Sequence, residues 1–133
     1  MRTIALHSIA YQFPLTMRFL LSFLIIAIIT FLVGMVAPWW SVALVAAVVA
    51  AIAGVNGWQG FFSAFLAVFV VWLGYAFVQD VANDSILSTR MGALIGDIGT
   101  IGILILSAII GALAAGFGGM TGALGRQMVA KAN

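Results

Sequence analysis

Chemistry in a protein starts from groups that can hold a proton, a metal ion or a reactive electron pair, and this chain has few. His7, Asp80, Asp84, Asp97 and Arg90 are the side chains whose type or spacing could do chemistry. A lone imidazole works as a general base only beside a group that orients it, and His7 has no carboxylate near it in sequence. Asp80 and Asp84 stand one helical turn apart with Asn83 between them. Oxygen ligands that close could hold a hard cation, but no glycine-turned loop shapes a calcium site here. The plainer reading is a solvated acidic connection. Arg90 falls between Asp84 and Asp97 and is expected to form a loop ion pair with them, a contact of about 0–1 kcal/mol when exposed. The chain has no Cys, so thiolate metal sites and cysteine nucleophiles are excluded. Ser22, Thr30, Ser63, Ser107 and Thr121 bring hydroxyls into the apolar stretches, but an ion relay would need ionisable groups there. No phosphate loop, zinc pattern or internal repeat is present. The inventory points away from an enzyme, and no catalytic, metal or cofactor residue is assigned.

What surrounds these residues is oil-like. Of the 133 residues, 65% are hydrophobic and 6% charged, and the mean hydropathy is +1.30. A soluble domain is about 45–50% apolar and about 25% charged. Too few charges remain to coat a globule in water, which excludes a soluble enzyme and a disordered tail. Five Lys/Arg against three Asp/Glu leave a net charge of +2. Scattered cations cannot neutralise a run of phosphates, so no nucleic-acid partner is expected.

The strongest positive signal is a gap: residues 19–79 contain no Asp, Glu, Lys, Arg or His. As one straight helix that stretch would extend roughly 90 Å, about three times the hydrocarbon thickness of a bilayer. It must fold back, and Ala37-Pro38-Trp39-Trp40 and Asn56-Gly57-Trp58-Gln59-Gly60 mark the breaks. Paired tryptophans suit the membrane interface, where an indole N–H stays wet. The predicted crossings are 17–37, 38–55 and 58–79, the second short enough to be tilted or re-entrant. A polar connection over 80–97 follows, with a short amphipathic helix expected at the membrane surface. A second uncharged run supplies a crossing at 98–125, and residues 127–133 form a polar tail. Residues 1–16 are expected to lie at the interface. A cleaved signal peptide fits poorly, because the apolar core is longer than the usual ~7–15 residues.

The fold class expected is therefore an all-α integral membrane protein: four transmembrane helices in a small bundle (17–126), with short interfacial helices near the N-terminus and in the third loop. Four crossings bring both ends to one side. That side holds Arg2, Arg18, Arg126 and Lys131, whereas the third loop holds Arg90 and all three acids. Excess positive charge marks the cytoplasmic face, so both termini are predicted cytoplasmic, in a bacterial inner membrane.

In lipid, close backbone approach drives helix association, so small residues mark contacts. Ser107, Gly111, Ala115, Gly119 and Ala123 recur every four residues on the last span, and Gly60, Ala64, Ala67 and Gly74 line one flank of the third. The opposite flank of the third span carries Trp58, Phe62, Phe65, Phe69 and Trp72, a ridge able to meet lipid, quinone, pigment or another subunit. The small stripes serve either a partner or the chain's own bundle. The function expected is a non-catalytic structural or accessory subunit of a membrane complex, with lipids and other membrane subunits or further copies as partners. The alternative is a small transporter or channel formed by homo-oligomerisation.

Overall fold

The structure is a computed structural model and describes residues 14–132. The described residues form helices and turns with no strand: α1 (Leu15–Gly34), α2 (Ser41–Ala53), α3 (Gly57–Ala82), α4 (Ile86–Leu94) and α5 (Gly99–Ala132). Most of the expected N-terminal interfacial segment, with Arg2 and His7, lies outside the described residues. Its last residues already feed α1, which starts after Pro14, whose ring holds φ at −59°. Proline suits that position because the first amides of a helix have no intrahelical partner.

Each boundary has a local cause. The expected 38–55 span contracts to Ser41–Ala53 because Pro38-Trp39-Trp40 makes a turn instead, with Ser41 N–H donating to the Pro38 carbonyl at 3.0 Å. At its other end Gly54 takes a left-handed φ of 67°, the conformation glycine adopts without a Cβ penalty. Asn56 then caps α3. Its side chain accepts from the Gln59 N–H at 2.9 Å, while the Gln59 side chain accepts from the Asn56 N–H at 3.4 Å, a reciprocal box that satisfies two orphan donors. At its far end α3 runs on into the expected polar connection, as far as Ala82. The polar tail expected at 127–133 is instead a helical continuation of α5 to Ala132, with Lys131 in its last turn, where a cation complements the helix dipole.

Among the described residues, three helices are long and apolar enough to cross a membrane: α1 with 20 residues, α3 with 26 and α5 with 34. At 13 residues, α2 is about 20 Å long, short of the ~30 Å hydrocarbon core.

α5 packs against both α2 and α3, and α1 packs against the same two helices, so α1 and α5 occupy opposite corners of a four-helix arrangement. The core is made of small side chains, with Ala46, Ala64, Ala67 and Ala115 around Ile26, Val42 and Val68. The large apolar residues point outward, among them Leu24, Ile28, Leu32, Phe62, Val70, Ile101 and Phe117. A water-soluble bundle buries such side chains and never shows so continuous an apolar exterior. On α1, Ser22, Ile26 and Thr30 form the buried stripe. The two polar residues in the middle of that helix, Ser22 and Thr30, therefore mark its inner face.

Candidate functional site

Two features of the sequence converge on α5: its small-residue stripe and the aromatic flank of α3. At their crossing the two backbones nearly touch. A Cβ on Gly60 would lie 2.6 Å from the Gly119 carbonyl oxygen, and one on Gly119 would meet the Gly60 carbonyl and, at 2.9 Å, the Ala64 Cβ. The next face of α5 does the same to α2, with Gly118 against the Ala43 carbonyl and Gly122 against the Ala47 carbonyl. Gly60, Ala64, Ala67, Gly111, Ala115, Gly119 and Ala123 are buried, and the surfaces that bury them belong to this same chain. Ser107 and Gly74 are not part of this seam. Both are exposed, and a Cβ on Gly74 would meet nothing within 4 Å.

The reason is an indole. Gly111 seats the ring of Trp72, so from that level onward α3 and α5 are spaced by a bulky ring rather than by hydrogens. Trp72 thus parts from the aromatic ridge on which its spacing places it. Phe65 and Phe69 stack at 6.2 Å and 5°, and the row continues through Phe61, stacked on Phe65 at 5.8 Å, to Phe117 on α5, edge-on at 5.4 Å. Phe61 also lies over Gly116, whose Cβ would come within 2.8 Å of its ring. Trp58 and Phe62 form an exposed stack at 6.2 Å, joined to the row where Phe62 meets Phe61 edge-on at 5.4 Å. The signal for Phe61 was readable, since 61, 65 and 69 fall at strict four-residue steps.

Where Trp72 holds the helices apart, a cleft of about 280 Å³ opens between the end of α1, the Pro38–Trp40 turn, α3 and α5. Its walls include Phe31, Trp39, Trp72 and Tyr75, and Thr30, Ser41 and Ser107 also contribute to its lining, the hydroxyl oxygens of Thr30 and Ser41 being buried behind it. Thr30 is 1% exposed and Ser41 8%, and neither hydroxyl oxygen has a hydrogen-bond partner. A buried polar group left so costs about 1–3 kcal/mol. Other helical hydroxyls in the chain avoid that cost: Ser22 donates to the Arg18 carbonyl at 2.8 Å and Thr121 to the Phe117 carbonyl at 2.8 Å. The cleft continues along Phe31, Val71 and Tyr75 into an apolar groove between α1 and α3, floored by Gly74. Neither Ser41 nor Tyr75 stood out in the sequence. Nothing in the spacing places Ser41 beside Thr30.

The acidic connection is built on a different carboxylate from those expected. Asp80, near the end of α3, accepts from Ser85 Oγ at 2.7 Å and also from Ser88 Oγ, clamping the first turn of α4. Asp84, Arg90 and Asp97 are exposed, and no ion pair joins them among the described residues. Asp84 and Asp97 sit at left-handed turn positions, with φ of 51° and 58°, a conformation that Asp tolerates better than most residues do. Leu87, Met91, Leu94 and Ile95 of the α4 segment are exposed, while Ser88 and Gly92 face the protein, Gly92 lying close against the Gly99 backbone.

Comparison with family models, with curated proteins and with solved structures finds no match to this chain.

Proposed function

We propose that this chain is a four-crossing integral membrane protein, non-catalytic, acting as a structural or accessory subunit of a complex in a bacterial cytoplasmic membrane. The observation that carries the reading is the inverted distribution of side chains: an alanine and glycine interior inside a shell of Leu, Ile, Val and Phe. In lipid such a shell costs nothing, and the tight seam supplies the packing that holds helices together. The short α2 fits as a crossing if the flanking turns and local bilayer thinning take up the mismatch.

Charge supports the orientation. Arg18 Nη1 donates to the Gly54 carbonyl at 3.4 Å, and the Arg126 guanidinium reaches the same glycine. These cations gather at one end of the bundle, with the acidic connection between α3 and α5 at the other. The basic end is then cytoplasmic. Because the chain has no Cys, single-cysteine variants report this directly. Asp84→Cys should react with a membrane-impermeant maleimide added outside intact cells, and Ala132→Cys only after the cells are opened. The reverse pattern would refute the orientation.

Since the seam closes on the chain itself, a partner has the outer faces to use, above all the exposed Trp58–Phe62 stack and the flat patch around Gly74. Native mass spectrometry after extraction in mild detergent tests the role. A copurifying membrane subunit or a defined oligomer supports it; a strictly monomeric, partner-free chain defeats it. Solute flux through reconstituted oligomers would replace it with the channel reading.

A further inference from the structure

We propose that the guanidiniums of Arg18 and Arg126, which converge on Gly54 at the basic end of the bundle, bind the phosphate of an anionic lipid whose headgroup carries no cation. This rests on the membrane placement above but not on the accessory role.

The first observation is what gathers at the turn after α2. Gly54 ends that helix in a left-handed conformation, and two arginines far apart in sequence meet there. Arg18, in the first turn of α1, donates from Nη1 to the Gly54 carbonyl at 3.4 Å. Arg126, on α5, comes so close that a Cβ on Gly54 would overlap its Nη1. Arg18 does the ordinary work of a cation at a helix C-terminus, satisfying a carbonyl that the helix leaves open. Arg126 does not. Among the described residues its guanidinium makes no hydrogen bond and no ion pair. Its donors are not sealed off either, since none of its three nitrogens is a buried atom. A group arriving from outside can reach them.

The second observation is charge. Two like charges on one residue repel, and no acidic side chain at this end offsets them. Residues 1–79 and 98–133 contain no Asp or Glu. The three acids belong to the connection after α3, and along that helix Asp80 stands ~35 Å from Gly57. A counter-ion has to be brought in. At the end of a membrane bundle the anions at hand are headgroup phosphates, and the guanidinium fork pairs with phosphate oxygens two at a time.

The third is selectivity. Phosphatidylethanolamine and phosphatidylcholine bring a cation beside the phosphate, which two guanidiniums repel and no carboxylate here receives. Phosphatidylglycerol and cardiolipin bring none. Toward the middle of the bundle α2 continues as exposed Ile52, Val48 and Leu44, a four-residue repeat along one face, which gives acyl chains an apolar track beyond the headgroup.

The test titrates lipids into the full chain after detergent exchange has removed those it carried. Native mass spectrometry counts the lipids bound. Phosphatidylglycerol and cardiolipin are compared with phosphatidylethanolamine and phosphatidylcholine of the same acyl chains. A parallel arm follows the melting temperature in the same detergent with phosphatidylglycerol or with inorganic phosphate. An anionic lipid should bind about tenfold more tightly than either zwitterionic one, the scale of a charge-assisted hydrogen bond. It should also raise the melting temperature where phosphate does not. Arg126→Gln should erase that preference. The lipid-free melting temperature should not fall, because the substitution removes no hydrogen bond within the chain. Lys131→Gln removes the same charge from an exposed position farther along α5 and should leave the preference intact. Equal affinity for all four lipids would overturn the proposal, as would a loss in Lys131→Gln as large as in Arg126→Gln. Stabilisation by phosphate equal to that by phosphatidylglycerol would also overturn it, making the pair a site for a soluble anion. A chain that needs detergent yet shows no headgroup preference defeats this inference alone; one that stays dispersed without detergent defeats the membrane placement with it.

Discussion

Gly119→Ala offers the sharpest test of the seam. The added methyl would sit 2.9 Å from the Ala64 Cβ and 3.0 Å from the Gly60 carbonyl carbon, with the Gly60 oxygen closer still. Carbon pairs rest at about 3.5–4.0 Å, so α3 and α5 must part by roughly 0.5–1 Å. The obstacle is backbone and cannot rotate away. A gap of that size forfeits about a quarter to a half of each contact along the seam, and overpacking of this kind costs about 1–3 kcal/mol. Alanine also favours the helix over glycine by about 1 kcal/mol, which would mask part of the loss. Gly125→Ala removes that ambiguity, because it lies on the same helix and its Cβ meets nothing within 4 Å. The propensity gain cancels between the two variants. The expected result is that Gly119→Ala is less stable than Gly125→Ala by about 1–3 kcal/mol. Reversible unfolding in mixed micelles of dodecyl sulfate and a mild detergent, followed by circular dichroism, measures the difference. Equal stability within about 0.5 kcal/mol, the scatter of neutral surface changes, would refute the close approach of α3 and α5.

Other expectations follow from the same contacts. Gly111→Ala collides with the Trp72 ring rather than with backbone, so it should cost less than Gly119→Ala while shifting the emission of Trp72 in a chain whose other tryptophans are phenylalanine; an unshifted spectrum would contradict the seating. Asn56→Ala removes the α3 capping box and should destabilise by about 1 kcal/mol in the same unfolding assay. Asp80→Ala takes away the acceptor shared by Ser85 and Ser88. Amide exchange across 85–94 should then speed up by about tenfold, the loss of one to two net hydrogen bonds, with the seam unaffected.

The helices were legible because their signals are local. An uncharged run, a Pro-Trp-Trp turn and an Asn-Gly break with glutamine at the capping distance act within a few residues of themselves. Their ends were less so. The two shifts at α2 come from a turn hydrogen bond at Pro38 and the left-handed Gly54, and α5 continues because nothing in 126–132 forbids a helix. The acidic connection departs from its spacing for a related reason. Spacing put Arg90 between Asp84 and Asp97, but left-handed turns carry those aspartates into exposed positions while Asp80 reaches forward to the serines of α4.

Composition and periodicity alone determined the apolar character of the long helices, the helical class and which flank of each helix carries small side chains, because each of these depends on residue type and on the fixed turn of the helix. Which small flank meets which depends on how helices distant in sequence cross, and that belongs to the tertiary structure. It set Gly119 on Gly60 and Gly122 on Ala47, turned Trp72 onto Gly111, and so separated Ser107 and Gly74 from the seam whose spacing they share. The cleft exists for the same reason: Thr30 and Ser41 come to line one space only when the Pro38–Trp40 turn returns the chain beside α1 and an indole keeps α3 from closing against α5.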